Sequence, residues 1–114
     1  MQKTILFLLV SGILAGCAAK FTADHQALLQ KQLKDMVDVD QIAANIPQGK
    51  YKELPREEWE KFKDSVFTSN KVQVEIIFDQ YGFPGFDKVG KEGSQHFWLL
   101  VQHCDKYPEF QKRY

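Results

Sequence analysis

The sequence predicts a single all-α domain of four or five helices over residues 22–114. Two observations support this: apolar residues recur every three or four positions in several separate segments, and helix-capping residues or glycines flank those segments. The 98 residues that follow residue 16 suffice for one small domain and are too few for two.

The first predicted helix covers residues 22–45. Its apolar stripe comprises Leu29, Leu33, Met36 and Val37. Thr22 or Asp24 is suited to cap the start of the helix. Asp38 and Asp40 interrupt the stripe. Either the helix continues with both carboxylates directed outward, or a second short helix begins there.

A second helix is predicted to start at Pro55, because proline followed by acidic residues is typical of a first helical turn. Its residues Trp59, Phe62 and Val66 share one face and are expected in the core. Residues 68–82 fit both a strand and a helix. A cap at Ser69 or Asn70, and Gly82 at the end, favour a separate helix.

Residues 82–93 are rich in glycine and predict an ordered turn region in which Phe83, Phe86 and Val89 are buried. A further helix is expected to open at Gly93 or Ser94. Its apolar stripe comprises Phe97, Leu100, Val101 and Cys104. A last helical turn follows Tyr107-Pro108.

Composition excludes two classes of protein. The apolar content of 44% is too high for a disordered chain. Residues 17–114 contain 14 basic and 15 acidic side chains, so the chain lacks the basic excess that a nucleic-acid binder needs to neutralise phosphates. No nucleic-acid partner is therefore predicted.

The N-terminus has the pattern of a secretion signal. Lys3 precedes an apolar stretch, Thr4 to Leu14, which is too short to span a hydrocarbon core of about 30 Å. Leu14-Ala15-Gly16-Cys17 follows and resembles the lipobox of bacterial lipoproteins. The resemblance implies removal of residues 1–16 as a signal peptide and lipidation of Cys17, with residues 17–21 as a short tether.

The lipobox resemblance also implies a location. Lipid chains on Cys17 would hold the domain at a membrane of the cell envelope without a transmembrane helix. In a Gram-negative bacterium, Ala18 after the cysteine implies the outer membrane, facing the periplasm. Cys104 would then be the only thiol of the mature chain and is expected to be a buried core residue.

Several ordered motifs resemble a bacterial family named domain of unknown function 6624, over about residues 26–111. The motifs are Asp40-Gln41, Asn70, Gly82-Phe83-Pro84, Val89-Gly90, Gln102-His103 and Phe110-Gln111. The resemblance implies a helix opened by Asn70 and predicts architecture without a mechanism, because the family has no established activity. The family usually continues with another helix, so the end at Tyr114 leaves open whether the reading frame is complete.

His103 is the strongest candidate for a functional side chain. Asp40 could orient its imidazole by accepting a ring N–H, while Gln41, Asn70 and Gln102 could donate hydrogen bonds to a ligand. The same residues could instead form a buried structural network that fixes helix packing.

No cofactor and no metal site are predicted. His96 and His103 lie seven residues apart, about 10.5 Å along a helix, which is too far for both to bind one ion. No nucleophile motif or phosphate loop is present, and Lys63 and Glu60 are assigned no special role.

The predicted function is that of a lipid-anchored envelope lipoprotein. Its helical domain would serve as a non-enzymatic binding or structural module for a protein or small molecule. The alternative is an acid–base, hydrolase-like enzyme that uses His103 with Asp40. An open cleft at His103 would favour the enzyme, and a fully buried His103 with both nitrogens bonded would favour the structural role.

Overall fold

The structure is a computed structural model that describes residues 21–114, which form an all-α domain as predicted. The predicted signal peptide of residues 1–16 and the lipidated Cys17 lie outside the described residues. The helices are α1 (Ala23–Ala44), a 3₁₀ helix (Gly49–Glu53), α2 (Arg56–Tyr81), α3 (Phe86–Gln102) and α4 (Pro108–Gln111).

Helix α1 contacts both α2 and α3 along its length. Phe21, just before α1, packs its ring 5.4 Å from that of Tyr81, the last residue of α2, so α1 and α2 are antiparallel. Near its start, α1 places Gln30 Nε2 2.9 Å from the Val89 carbonyl. Near its end it places Asp40 beside His103, so α1 and α3 are parallel.

Capping determines where α1 begins. Thr22 Oγ1 accepts a hydrogen bond from the His25 backbone N–H, while His25 Nδ1 accepts one from the Thr22 N–H. Two backbone donors that the first helical turn leaves unpaired are thus satisfied. The prediction of a cap at Thr22 is confirmed, and the histidine takes the place that glutamate usually has in this motif.

Two expectations about the long helices are wrong. Helix α1 continues unbroken through Asp40, as one of the two alternatives predicted, but Asp40 points into the core rather than outward. Helix α2 runs without interruption from Arg56 to Tyr81, so neither Ser69 nor Asn70 opens a helix. Asn70 lies on the inward face of α2 between Val66 and Val74, and helical burial outweighs its capping preference.

Helix α3 contains a break at Gly90, whose φ of 72° and ψ of 175° are not helical. A side chain at this position would strain the backbone, because this region is accessible essentially to glycine alone. The helix therefore consists of one turn, 86–89, and a longer part that follows Gly90. The prediction that the helix opens at Gly93 or Ser94 is therefore wrong: it begins at Phe86, inside the predicted turn region, and resumes after the break at Gly90.

The core lies between the three long helices and is closed by the C-terminal segment. The ring of Tyr114 lies 5.8 Å from that of Phe97 and 4.9 Å from that of Phe110. The principal core residues are Leu29, Leu33, Val37, Val74, Ile77, Val89, Phe97, Leu100, Val101, Cys104 and Phe110.

A second aromatic cluster lies beside the 3₁₀ helix. The Tyr51 ring lies 5.8 Å from that of Trp59 and 5.1 Å from that of Phe62. Trp59 and Val66 are buried as predicted, and Phe62 is half-buried.

The burial predicted for the turn region is only partly correct. Val89 is 1% exposed, whereas Phe83 is 50% and Phe86 is 65% exposed. Two aromatic side chains therefore face solvent at the connection between α2 and α3.

Candidate functional site

The candidate site lies where the C-terminal parts of α1 and α3 meet. Asp40 continues the inward stripe of α1, three residues after Val37, and has no exposed surface. His103 follows the last residue of α3, where its backbone N–H bonds to the Leu99 carbonyl. Because α1 and α3 are parallel, these two positions lie next to each other although 63 residues separate them in sequence.

The two side chains form a short hydrogen bond. His103 Nδ1 lies 2.5 Å from Asp40 Oδ2, and Gln41 Nε2 donates to the same oxygen over 3.2 Å. Asp40 Oδ1 is buried and has no hydrogen-bond partner within residues 21–114. The carboxylate is thus held by one imidazole N–H and one amide, which leaves half of it unsatisfied.

Burial raises the pKa of the Asp40 carboxyl above 3.8, because removal from water disfavours its charged form. The hydrogen bond and positive charge of His103 oppose this rise, and the hydrogen bond from Gln41 opposes it further. The carboxylate therefore depends on its hydrogen-bond donors to remain charged inside the domain.

The imidazole is fixed on one side and open on the other. Its Nδ1 is engaged by Asp40, whereas the side chain retains 27% of its exposure and makes no hydrogen bond through Nε2 within the described residues. The Phe67 ring packs against it with a centroid distance of 6.0 Å. A neutral imidazole held in this way has its free lone pair on Nε2.

His103 lines a cavity of about 190 Å³ between α2 and the segment that follows α3. This volume is smaller than the roughly 300 Å³ at the lower end of drug-sized ligand sites, so it suits a small polar molecule or a single inserted side chain. An ion pair between Lys106 and Asp64 closes one side. The other lining residues are Glu60, Lys63, Phe67, Thr68, Cys104, Asp105 and Tyr107.

Of the remaining predicted site residues, only Gln41 joins the pair. Asn70 is 7% exposed, and its Nδ2 has no partner within the described chain. Gln102 has an exposed side chain that does not line the cavity, and its carbonyl accepts a hydrogen bond from Gln111 Nε2 over 3.0 Å. Neither Asn70 nor Gln102 lines the cavity or bonds to His103 within the described residues.

Cys104 is a core residue, as predicted. It is 1% exposed, and its Sγ donates to the Leu100 carbonyl over 3.3 Å. Burial raises the pKa of its thiol to about 11. The adjacent His103 forms its hydrogen bond with Asp40 instead, so the two do not form an activated nucleophile pair.

The cavity residues of α2 were not predicted from the sequence, although their helical spacing could have identified them. Glu60, Lys63 or Asp64, and Phe67 recur at helical spacing and so share one face of α2. That face carries charges of both signs, which is typical of a solvated helix surface. The segment after His103 forms the other side of the cavity, and its contact with this face of α2 cannot be predicted from local periodicity.

Comparison with known proteins finds no matching protein family, no matching curated protein and no matching solved structure. Within residues 21–114, no three His, Cys, Asp or Glu side chains lie close enough to hold a metal ion. No helix in this same part of the chain has the length and hydrophobicity needed to cross a membrane.

Proposed function

We propose that this chain is a lipid-anchored protein of a bacterial cell envelope whose helical domain is a non-enzymatic binding module. The lipid anchor is supported by the sequence, in which Leu14-Ala15-Gly16-Cys17 directly follows an apolar signal segment. In a Gram-negative bacterium, Ala18 supports an outer-membrane location facing the periplasm.

One observation supports the binding role: the buried Asp40 holds Nδ1 of His103, and this partly exposed histidine lines a cavity. A purely structural histidine would be expected to have both ring nitrogens bonded. The cavity combines aromatic surface from Phe67 and Tyr107 with charges of both signs, which suits a small polar ligand or a polar side chain of a protein partner.

We also propose membership of the domain of unknown function 6624 family. Several residues of the resembling motifs have specific structural roles, which supports this assignment. Gly82 and Gly90 both have positive φ angles, Phe110 is buried in the core, and Gln111 Nε2 bonds the Val101 and Gln102 carbonyls at the end of α3.

The anchor is tested by expressing the full chain in a bacterium with a radioactive fatty acid. We expect Cys17→Ser to lose the label and leave the membrane fraction, because the sulfur that carries the lipid is absent. The matched control is Cys104→Ala, which removes the other thiol and should remain labelled. Persistent labelling of Cys17→Ser would refute the anchor.

The binding role is tested by NMR with a library of small polar fragments. We expect bound fragments to shift the resonances of Phe67, Thr68 and His103, and His103→Ala to abolish these shifts. His96→Ala is the control, since His96 lies on α3 but outside this cavity. Shifts that are equally strong in folded His103→Ala, or no binding at this cavity, would refute the proposal.

A second candidate is an acid–base enzyme in which His103 Nε2 accepts a proton from water and Asp40 orients the imidazole. This candidate is favoured by a histidine that lines the cavity, is held at Nδ1 by Asp40 and makes no hydrogen bond through Nε2 within the described residues. It ranks second because the cavity contains no activated nucleophile: the pKa of Cys104 is raised to about 11, and Thr68 is not hydrogen-bonded to His103.

Hydrolysis of 4-nitrophenyl acetate separates the two candidates. An enzyme should lose roughly 100-fold in rate in His103→Ala, and should also lose activity in Asp40→Asn, while His96→Ala remains active. A binding module should show the same slow hydrolysis in all three variants. This second result is the one we expect.

A further inference from the structure

Two exposed aromatic side chains lie at the end of the domain where α2 connects to α3. Phe83 and Phe86 are 50% and 65% exposed, although phenylalanine gains much from burial. Leu28 and Ile76, each five residues from the same end of α1 and α2, are also exposed, at 67% and 48%. This end of the domain therefore presents apolar surface to its surroundings.

The turn that leads from Phe83 to Phe86 is fixed by contacts of Phe83 and of the neighbouring residues. The Phe83 ring packs edge-on against the buried Phe97 at 5.5 Å, and the Gly85 N–H bonds to the Phe83 carbonyl over 2.9 Å. The Lys88 ammonium donates to the Tyr81 carbonyl, which ties α3 to the end of α2. The two exposed rings thus belong to a turn whose conformation these contacts stabilise.

The described chain begins at this same end. Phe21 packs against Tyr81, and Tyr81 precedes Phe83 by only two residues. Phe21 follows Cys17 by four positions in the sequence, and a chain over four positions spans at most about 14 Å. A lipid on Cys17 would therefore hold the Phe83 end of the domain within about 14 Å of the bilayer surface.

We propose that Phe83 and Phe86 insert into the interface of the phospholipid bilayer that carries the anchor. This inference rests on the proposed lipid anchor and adds a defined orientation to it. Phenylalanine side chains on the apolar face of an interfacial segment enter the boundary between headgroups and acyl chains to a depth of about 5–10 Å. The rings supply the second membrane contact that stabilises a lipid-anchored domain against tumbling.

The orientation places the His103 cavity away from the membrane. Asp40 lies 17 residues after Ala23 along α1, which corresponds to about 26 Å at 1.5 Å per residue. The parallel α3 ends at the same level with His103. A soluble ligand can therefore reach the cavity while the opposite end of the domain rests on lipid.

The experiment uses the full lipidated chain in phosphatidylcholine vesicles that contain a nitroxide-bearing lipid. A bimane fluorophore is attached to Phe86→Cys or, as the control, to Ile46→Cys, which is 81% exposed in the native chain and follows the far end of α1. The native Cys104 is 1% exposed and should not be labelled. Circular dichroism verifies that each variant is folded.

We expect the probe at position 86 to be quenched at least about two-fold more than the probe at position 46, because only the first lies at nitroxide depth. Phe83→Ser should reduce quenching at position 86, since it removes the neighbouring ring. If Phe86→Cys does not fold, a probe on the adjacent exposed residue in Asp87→Cys provides the same comparison.

Vesicle flotation distinguishes failure of this inference from failure of the anchor. A protein that floats with the vesicles but shows equal quenching at both positions, or more at position 46, overturns the proposed orientation and leaves the anchor intact. A full chain that does not float overturns the anchor, and the orientation with it.

Discussion

Replacing His103 with alanine removes the principal hydrogen-bond donor of a buried carboxylate. Asp40 has no exposed surface, and one of its oxygens already has no partner in the described chain. In His103→Ala only the Gln41 amide would still donate to the carboxylate, over 3.2 Å in the native structure. The variant therefore measures how strongly the fold depends on the imidazole.

The magnitude follows from the exposure of the pair. Breaking a fully buried ion pair by removing one partner costs about 3–5 kcal/mol, whereas an unsatisfied group that water can reach costs about 1–3 kcal/mol. Because the His103 side chain is 27% exposed, its removal would admit some water to Asp40. We expect a loss of about 2–3 kcal/mol in the free energy of unfolding at pH 8.

The stability lost in His103→Ala should increase as the pH rises. Burial raises the pKa of Asp40 above 3.8, so the folded state binds the proton more tightly than the unfolded state. Protonation of the Asp40 carboxyl therefore stabilises the folded state. This stabilisation is fully present below pH 3.8 and is lost as the pH rises through the folded-state pKa of Asp40. Without His103 the folded-state pKa rises further, so the deficit of the variant should grow with pH.

Urea unfolding followed by circular dichroism at pH 4.5 and pH 8 measures this effect. A deficit of about 2–3 kcal/mol at pH 8 should fall to about 1 kcal/mol at the lower pH, where a larger fraction of the Asp40 carboxyl is protonated. His96→Ala provides the matched histidine control. Equal deficits at the two pH values, or a loss below about 0.5 kcal/mol at pH 8, would refute the account of Asp40.

Three further predictions concern single residues. Cys104, with a pKa of about 11, should react with a maleimide at pH 8 roughly 100-fold more slowly than an ordinary thiol of pKa 9.0, and rapid labelling of the native protein would contradict its burial. Gly90→Ala should lower stability by about 1–3 kcal/mol through backbone strain, and unchanged urea unfolding would contradict the positive φ of 72°. Thr22→Ala should lose about 1 kcal/mol with its cap, measured by thermal unfolding, and an unchanged melting temperature would count against the capping hydrogen bonds.

The all-α fold was predictable because its signals are local. The stripe of Leu29, Leu33 and Val37 needs only the helical period, and the cap at Thr22 needs only its own first turn. The unbroken α2 was not predictable in the same way. Asn70 has the chemistry of a cap, and only the neighbours that bury it exclude that role.

The contact between Asp40 and His103 was predictable from the sequence, whereas the residues around this pair were not. Asp40 and His103 were connected by their chemistry, and the structure places them 2.5 Å apart. The expected outward direction of Asp40 was nevertheless wrong, because the partner that makes its burial tolerable lies 63 residues away. The exposure of Phe83 and Phe86 was missed because hydrophobic residues in a compact turn are usually buried.

The buried carboxylate of α1 also determines how the helices align. Leu29, Leu33 and Val37 repeat every four residues, so a slide of α1 by one turn, about 6 Å, would still place one aliphatic side chain where another had been. Such a slide would leave Asp40 among hydrocarbon groups with no imidazole beside it. One polar contact can thus select a single register from several that apolar packing alone would accept nearly equally.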